Sequence, residues 1–169
     1  MKILVLKFGG TSVGSIKKIK KVAEIIAEYK KKNYKVIVIS SAMSGVTNEL
    51  IKKSFKLSDN FSDSEHDVLV SSGEQVACSL IAGRLIHKGY KSRSWLAWQV
   101  PIITNGMHKN SRINQIGSHK IIKYLKEGGI PIITGFQGIN NQNRITTLGR
   151  GGSDASAIMI AKFFKAERC

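Results

Sequence analysis

Residues 2–12 read KILVLKFGGTS. Lys2–Phe8 is a short apolar run that stops at Gly9-Gly10, and from Ile16 onward the apolar side chains return at helical spacing. A near-continuous apolar run is what a strand buried on both faces looks like, and such strands belong to parallel sheets covered by helices. Ile16, Ile19, Ala23 and Ile26 form the helical stripe, widened by Val22 and Tyr29, while Lys17, Lys18, Lys20 and Lys21 largely fall on the solvated side. Lys30–Asn33 closes this helix, and Val36–Ile39 is a second strand ending at Ser40-Ser41.

The alternation continues along the chain. A helix is predicted from about Thr47 to Phe55, then a polar connector over Ser58–Ser64 and a long helix from about Asp67 to Lys88, closed by Gly89. Strand-like stretches follow at Ser92–Trp98 and Ile102–Thr104, with a polar turn through Asn105–Ser111. Ile116–Glu127 reads as a helix ending at Gly128-Gly129, and Ile130–Thr134 as a further strand. Asn140–Arg144 is a hydrophilic turn, and Leu148–Asp154 is a Gly-rich loop leading into a last helix through Phe164. Strands alternating with helices predict one α/β unit with a mainly parallel sheet covered on both faces.

The chain has 169 residues, a length suited to a single domain, and its 27 Lys plus Arg against 11 Asp plus Glu give a formal charge of +16. That charge would suit an anionic partner, but 21 of the basic residues are Lys, beside 23 Ile and 9 Asn, a mixture that an AT-rich genome produces. Arg is the residue of bidentate phosphate and base recognition, and there are only 6. Without a recognition helix or interleaved aromatic and basic residues, a nucleic-acid partner is not expected. No apolar run approaches the ~20 residues of a membrane helix, so no membrane partner is expected either. Cys78 and Cys169 lack a Cys-x-x-Cys partner, and His66, His87, His108 and His119 are scattered, so no disulfide scaffold or protein-ligated metal is expected. Each histidine reads as a surface or structural one, and the setting as a reducing cytoplasm.

In open parallel sheets, ligands gather beyond the carboxyl ends of the strands. Four loops stand there, after Phe8, Ile39, Thr134 and Leu148, all rich in Gly, Ser and Thr. In Lys7-Phe8-Gly9-Gly10-Thr11-Ser12, the glycines free the backbone N–H groups to face an anion beside the charge of Lys7. Because the lysine precedes the glycines, this is not a P-loop; a tight turn is the plainer reading. In Ser40–Asn48, hydroxyls and backbone donors precede a helix for which Thr47 or Asn48 could be the cap. Glu74, in Ser71-Ser72-Gly73-Glu74-Gln75, is a carboxylate in an apolar helix, suited either to a substrate ammonium or to an ion pair with a lysine. Gly73 costs the helix ~1 kcal/mol against Ala, which suggests a close approach there. Leu148-Gly149-Arg150-Gly151-Gly152-Ser153-Asp154 places a guanidinium fork among glycines at a helix start, where the dipole favours an anion. A capped helix explains Ser153 and Asp154 but not Arg150.

Lys7–Val13 (KFGGTSV), Ser41–Asn48 (SAMSGVTN), Ser72–Gln75 (SGEQ), Gly135–Gly138 (GFQG) and Thr147–Asp154 (TLGRGGSD) together resemble the signature blocks of the aspartate kinases, in the same order and along essentially the whole chain. The first block is shared across the amino-acid kinases; SAMSGVTN and TLGRGGSD are more selective. The resemblance implies a three-layer α/β/α sandwich of the amino-acid kinase (carbamate kinase-like) type. It also implies transfer of the ATP γ-phosphoryl, with Mg²⁺, to the β-carboxylate of L-aspartate, the committing step toward lysine, threonine and methionine. By the same resemblance Lys7 would stabilise the transferring phosphoryl. Gly9 and Gly10, with Thr11 and Ser12, would face phosphate. Ser41 and Thr47 would hydrogen-bond aspartate, together with Ser153. Arg150 would pair with the α-carboxylate and Glu74 with the α-ammonium. Asp154 would contact the ammonium or hold Lys7, and Phe136 would line the pocket.

The family's kinase domain normally runs roughly another hundred residues, through a Thr-Asp-Val-Asp-Gly-type segment that supplies most nucleotide contacts, and ACT-type regulatory domains follow in most members. The expectation is therefore that residues 1–169 are the N-terminal substrate-binding lobe of a truncated kinase domain, in a homo-oligomer or with a separate chain supplying the rest. The alternative is a catalytically dead remnant or subunit-association piece that binds aspartate at most.

Overall fold

The computed structural model describes all residues from Met1 to Cys169. The opening run forms β1 (Ile3–Phe8), followed by α1 (Ile16–Lys31), β2 (Lys35–Ser40), α2 (Val46–Leu57) and α3 (Asp63–His87). Then come β3 (Ser92–Trp95), β4 (Ile102–Thr104), β5 (Ile113–Ile116), α4 (His119–Lys126), β6 (Ile130–Thr134), β7 (Gln137–Ile139), β8 (Ile145–Thr147) and α5 (Gly152–Phe163). The main sheet has the order β1-β2-β6-β3 and is parallel throughout.

Both faces of that sheet are covered along β1, β2 and β6, which is why those three strands read as apolar runs, while the edge strand β3 (SRSW) does not. Val36, Val38, Ile130 and Ile132 point one way, into a core completed by Ile19, Val22 and Ile26 of α1 and Ala77, Ile81 and Leu85 of α3. Ile3, Val5, Ile37, Ile39 and Ile133 point the other way, against Ile121 and Leu125 of α4 and Ala157 and Ile160 of α5. The molecule is a three-layer α/β/α sandwich. On α1 the Ser15 side chain accepts from the Lys18 N–H at 3.3 Å and starts the helix, the lysines lie outside, and Ile16 is exposed rather than part of the buried stripe. Beside β1, on the edge away from β2, the last residues pair in parallel: the Val5 N–H donates to the Arg168 carbonyl (3.0 Å) and the Glu167 N–H to that of Ile3 (2.9 Å). No helix is long and apolar enough to cross a membrane.

The larger departure from the sequence reading is a second sheet, β5-β4-β7-β8. β5 and β8 are antiparallel to their neighbours, and β4 and β7 are parallel. Its strands span three or four residues, too short for periodicity to separate them from loops. Ile113–Ile116 is a strand, so the helix expected from Ile116 starts at His119 instead. Gly117 makes the break: a Cβ there would stand 2.4 Å from Pro101 Cδ. Likewise the strand expected through Trp98 ends at Trp95, where Gln99 Oε1 takes the Leu96 N–H (3.0 Å) and turns the chain.

Candidate functional site

The parallel register puts the carboxyl ends of three strands level: Phe8 lies beside Ser40 and Ser40 beside Thr134. Backbone bonds then tie the loops that follow, from the Ser41 N–H to Phe8 O (3.0 Å), Ser44 N–H to Gly10 O (3.1 Å), and Gly135 N–H to Ser40 O (3.0 Å). The Leu148 N–H donates to Phe136 O at 2.9 Å, which brings the fourth loop in from the second sheet. Between these loops lies a cleft of about 560 Å³.

Lys7, Gly10, Ser41, Thr47, Glu74, Phe136, Arg150, Ser153 and Asp154 all line it. Gly9, Thr11 and Ser12 do not. Gly9 sits behind Lys7, whose Nζ would be 3.3 Å from a Cβ at that position. Thr11 and Ser12 face a separate depression beside Lys18 and Lys21 of α1.

Lys7 Nζ stands 2.8 Å from Asp154 Oδ1, with the lysine side chain largely covered and the aspartate exposed. The helices α2 and α5 both begin at this cleft. Their N-cap residues are Gly45 (φ 86°) and Gly151 (φ 75°), so neither Thr47, Asn48, Ser153 nor Asp154 caps its helix, and no side chain bonds the first-turn N–H groups. Positive φ at both caps is a left-handed conformation that glycine enters without a Cβ clash. Two uncapped helix N-termini beside Lys7 and Arg150 make a site for negative charge. Arg150 is exposed and within ion-pair distance of no carboxylate, whereas Lys7 is paired with Asp154 and Lys109 with Asp63.

Glu74 is buried and has no lysine partner, which removes the ion-pair reading of this residue. Its Oε1 accepts the Ala42 N–H at 2.9 Å, and its Oε2 is buried with no partner. Burial pushes its carboxyl up to about 7, against the smaller opposing pull of the Ala42 N–H. A group in that state favours a cation in contact with it.

Gly73, one residue before, lets α3 lie against the loop that carries this N–H. A Cβ there would be 2.7 Å from Ala42 Cβ. In Gly73→Ala the helix gains about 1 kcal/mol of propensity, but overpacking of this kind costs about 1–3 kcal/mol. Urea unfolding should therefore show a net loss near 1 kcal/mol; an unchanged or raised midpoint contradicts the close approach.

Three features of this site were not legible in the sequence. Asp67 is fully buried and holds one wall together: it accepts from the Thr147 hydroxyl (2.6 Å) and N–H (3.1 Å), the Lys109 N–H (3.0 Å) and His108 Nδ1 (2.8 Å). His108 is structural, as expected of it, but His66 lines the cleft, as does Lys109. Phe136 holds φ 68°, rare for a bulky side chain, and is fixed there by the Ser156 hydroxyl on its N–H (3.1 Å) and by Gly152, where a Cβ would meet its ring at 2.8 Å. An acid set against Val68-Leu69-Val70 was the available signal for Asp67; nothing local marked His66 or Lys109.

The aspartokinase of Rickettsia conorii is 49% identical over 172 residues, covering all of this chain and 43% of that protein. That of Geobacillus stearothermophilus is 47% identical over 169 residues, covering all of this chain and 42% of that one. The chain thus spans about two fifths of the length of these curated relatives. Among solved structures, Escherichia coli aspartokinase III in complex with aspartate and ADP superposes with a TM-score of 0.87 at 25% identity, over 99% of this chain and 48% of that one. Aspartate kinase from Synechocystis gives 0.84 at 33% identity, over 98% of this chain and 27% of that one. The sequence pattern of the amino acid kinase family matches residues 2–169, and the chain belongs to that family.

Proposed function

We propose that residues 1–169 form the aspartate-binding lobe of an aspartate kinase, a phosphotransferase that moves the ATP γ-phosphoryl to the β-carboxylate of L-aspartate. One observation carries this reading: a single cleft presents an unpaired guanidinium, Arg150, and a buried carboxylate with a bare oxygen, Glu74. Those two groups match the two charges of an α-amino acid. Arg150 takes the α-carboxylate and Glu74 the α-ammonium, with Ser41, Thr47 and Ser153 as hydrogen-bonding neighbours and Phe136 as the apolar wall. The side-chain carboxylate is then left toward Lys7 and the helix N-termini.

A carboxylate nucleophile is already ionised at neutral pH, so no strong base is required. Catalysis of phosphoryl transfer rests on position and electrostatics. Lys7 supplies positive charge to the transferring group, Asp154 holds Lys7, and of the Gly9–Ser12 turn only the Gly10 backbone, which lines the cleft, is assigned to the phosphates. Asp154, the exposed carboxylate of the cleft, would be the residue to hold a Mg²⁺ arriving with the nucleotide, which would supply charge neutralisation on the phosphates. We place the protein in the cytoplasm, where ATP and aspartate are available.

The test is aspartate-dependent ADP formation, with Lys7→Ala as the control. Turnover above the control supports phosphoryl transfer by this chain; turnover equal to it contradicts that step and leaves aspartate binding alone. Arg150→Ala should weaken aspartate binding roughly tenfold, about 1.4 kcal/mol, measured by calorimetry. The exposure of this side chain keeps the effect modest.

A further inference from the structure

A second cleft, of about 450 Å³, lies at the outer edge of β3 under α4 and shares no lining residue with the aspartate cleft. β3 is the edge strand, and its Arg93 and Trp95 line the cleft. Arg93 lies over the Trp95 ring, 4.1 Å from its centroid, and Trp95 meets Tyr124 edge-on at 5.7 Å. Lys120 and Lys123, one turn apart on α4, stand on the same cleft. Neither they nor Arg93 is within ion-pair distance of a carboxylate; the one acid present, Glu127, is taken by Lys91 at 2.6 Å.

Two further polar groups offer donors. Trp95 is 5% exposed and its indole N–H is buried without an acceptor. The Gln99 oxygen is occupied by the Leu96 N–H, which leaves its amide hydrogens free. Trp98 is 52% exposed and offers an open ring face. An unmet buried donor costs about 1–3 kcal/mol, and Arg93, Lys120 and Lys123 face a single carboxylate, Glu127, that Lys91 already pairs, so the site is short of acceptors and negative charge. Stacking on an aromatic ring is worth ~1–3 kcal/mol per base, and the cleft volume suits a small ligand rather than a strand.

We propose that this cleft binds a small anion built on a planar ring: the ring stacks on Trp98 beside the Arg93–Trp95 pair, and its phosphate or carboxylate meets Arg93, Lys120 and Lys123. A nucleoside monophosphate and an aromatic carboxylate share that chemistry.

Trp95 and Trp98 are the two tryptophans of the chain, so their fluorescence reports on this cleft and on no other. The 169-residue chain would be titrated with AMP, benzoate, adenosine and inorganic phosphate at constant ionic strength. Saturable quenching by AMP or by benzoate is expected, and which of them saturates first names the source. Lys120→Glu with Lys123→Glu, both exposed, should weaken that ligand at least tenfold while aspartate binding stays unchanged; Trp98→Ala should weaken it without altering charge. The proposal is overturned if neither ring anion saturates, if phosphate alone matches them, or if the double variant binds as well. It is overturned too if an oligoribonucleotide binds more than tenfold tighter than AMP, or if emission shifts with protein concentration alone, which marks a second copy in the cleft.

Discussion

Asp67→Ala is expected to destabilise the fold by about 3–5 kcal/mol, the range for removing one partner from a buried charged network. The carboxylate is fully buried and receives the Thr147 hydroxyl and N–H, the Lys109 N–H and His108. Its loss strands these donors and opens a cavity between α3 and the end of β8. In a chain of this size each kcal/mol moves Tm by about 2–4 °C, so thermal unfolding should shift by roughly 10 °C or more. Asp67→Asn keeps the shape but turns an amide donor toward N–H groups, and should cost about half as much. A loss below about 1 kcal/mol in the Ala variant would show that water satisfies these groups and that Asp67 is not the tie.

The second large effect belongs to Glu74. Burial raises its folded carboxyl from an ordinary 4.5 to about 7. Stability from the protonated form is therefore complete below about pH 4.5 and is lost as pH rises through about 7, with no further loss above. The shift corresponds to about 3 kcal/mol at full ionisation. Urea unfolding without ligand should show that decline, and Glu74→Gln should flatten it. On the proposed reading aspartate should reverse the sign: its ammonium would stabilise the ionised carboxylate, so binding at pH 7 should release a fraction of a proton. Affinity should be roughly tenfold higher at pH 8 than at pH 6, following the ionised fraction of a group near 7. Proton release equal in wild type and Glu74→Gln would place the titration elsewhere.

Three strands of the main sheet were legible because helices cover both their faces: KILVLKF, VIVI and IPIIT need no alternation to be recognised. The loops were legible for the opposite reason, since Gly, Ser and Thr beyond those strand ends bring hydroxyls and exposed backbone donors in place of apolar side chains. The second sheet was not. Gln137-Gly138-Ile139 and Ile145-Thr146-Thr147 carry too few residues for a period, and only their partners define them as strands. Asp67 illustrates the same limit within the site. Its partners are 41, 42 and 80 residues away along the chain, so no local pattern shows that this acid is a structural hub. Glu74 stood out as a charge on an apolar helix, yet the choice between a lysine partner and a ligand needed the geometry.

The pairing of Arg150 with Glu74 as the reader of an amino-acid zwitterion is tested most directly by calorimetric titration with L-aspartate against succinate, which keeps both carboxylates and lacks the ammonium. Saturable binding of aspartate is predicted at pH 8, with no measurable heat from succinate at concentrations that saturate with aspartate. Succinate binding as tightly as aspartate would contradict the account.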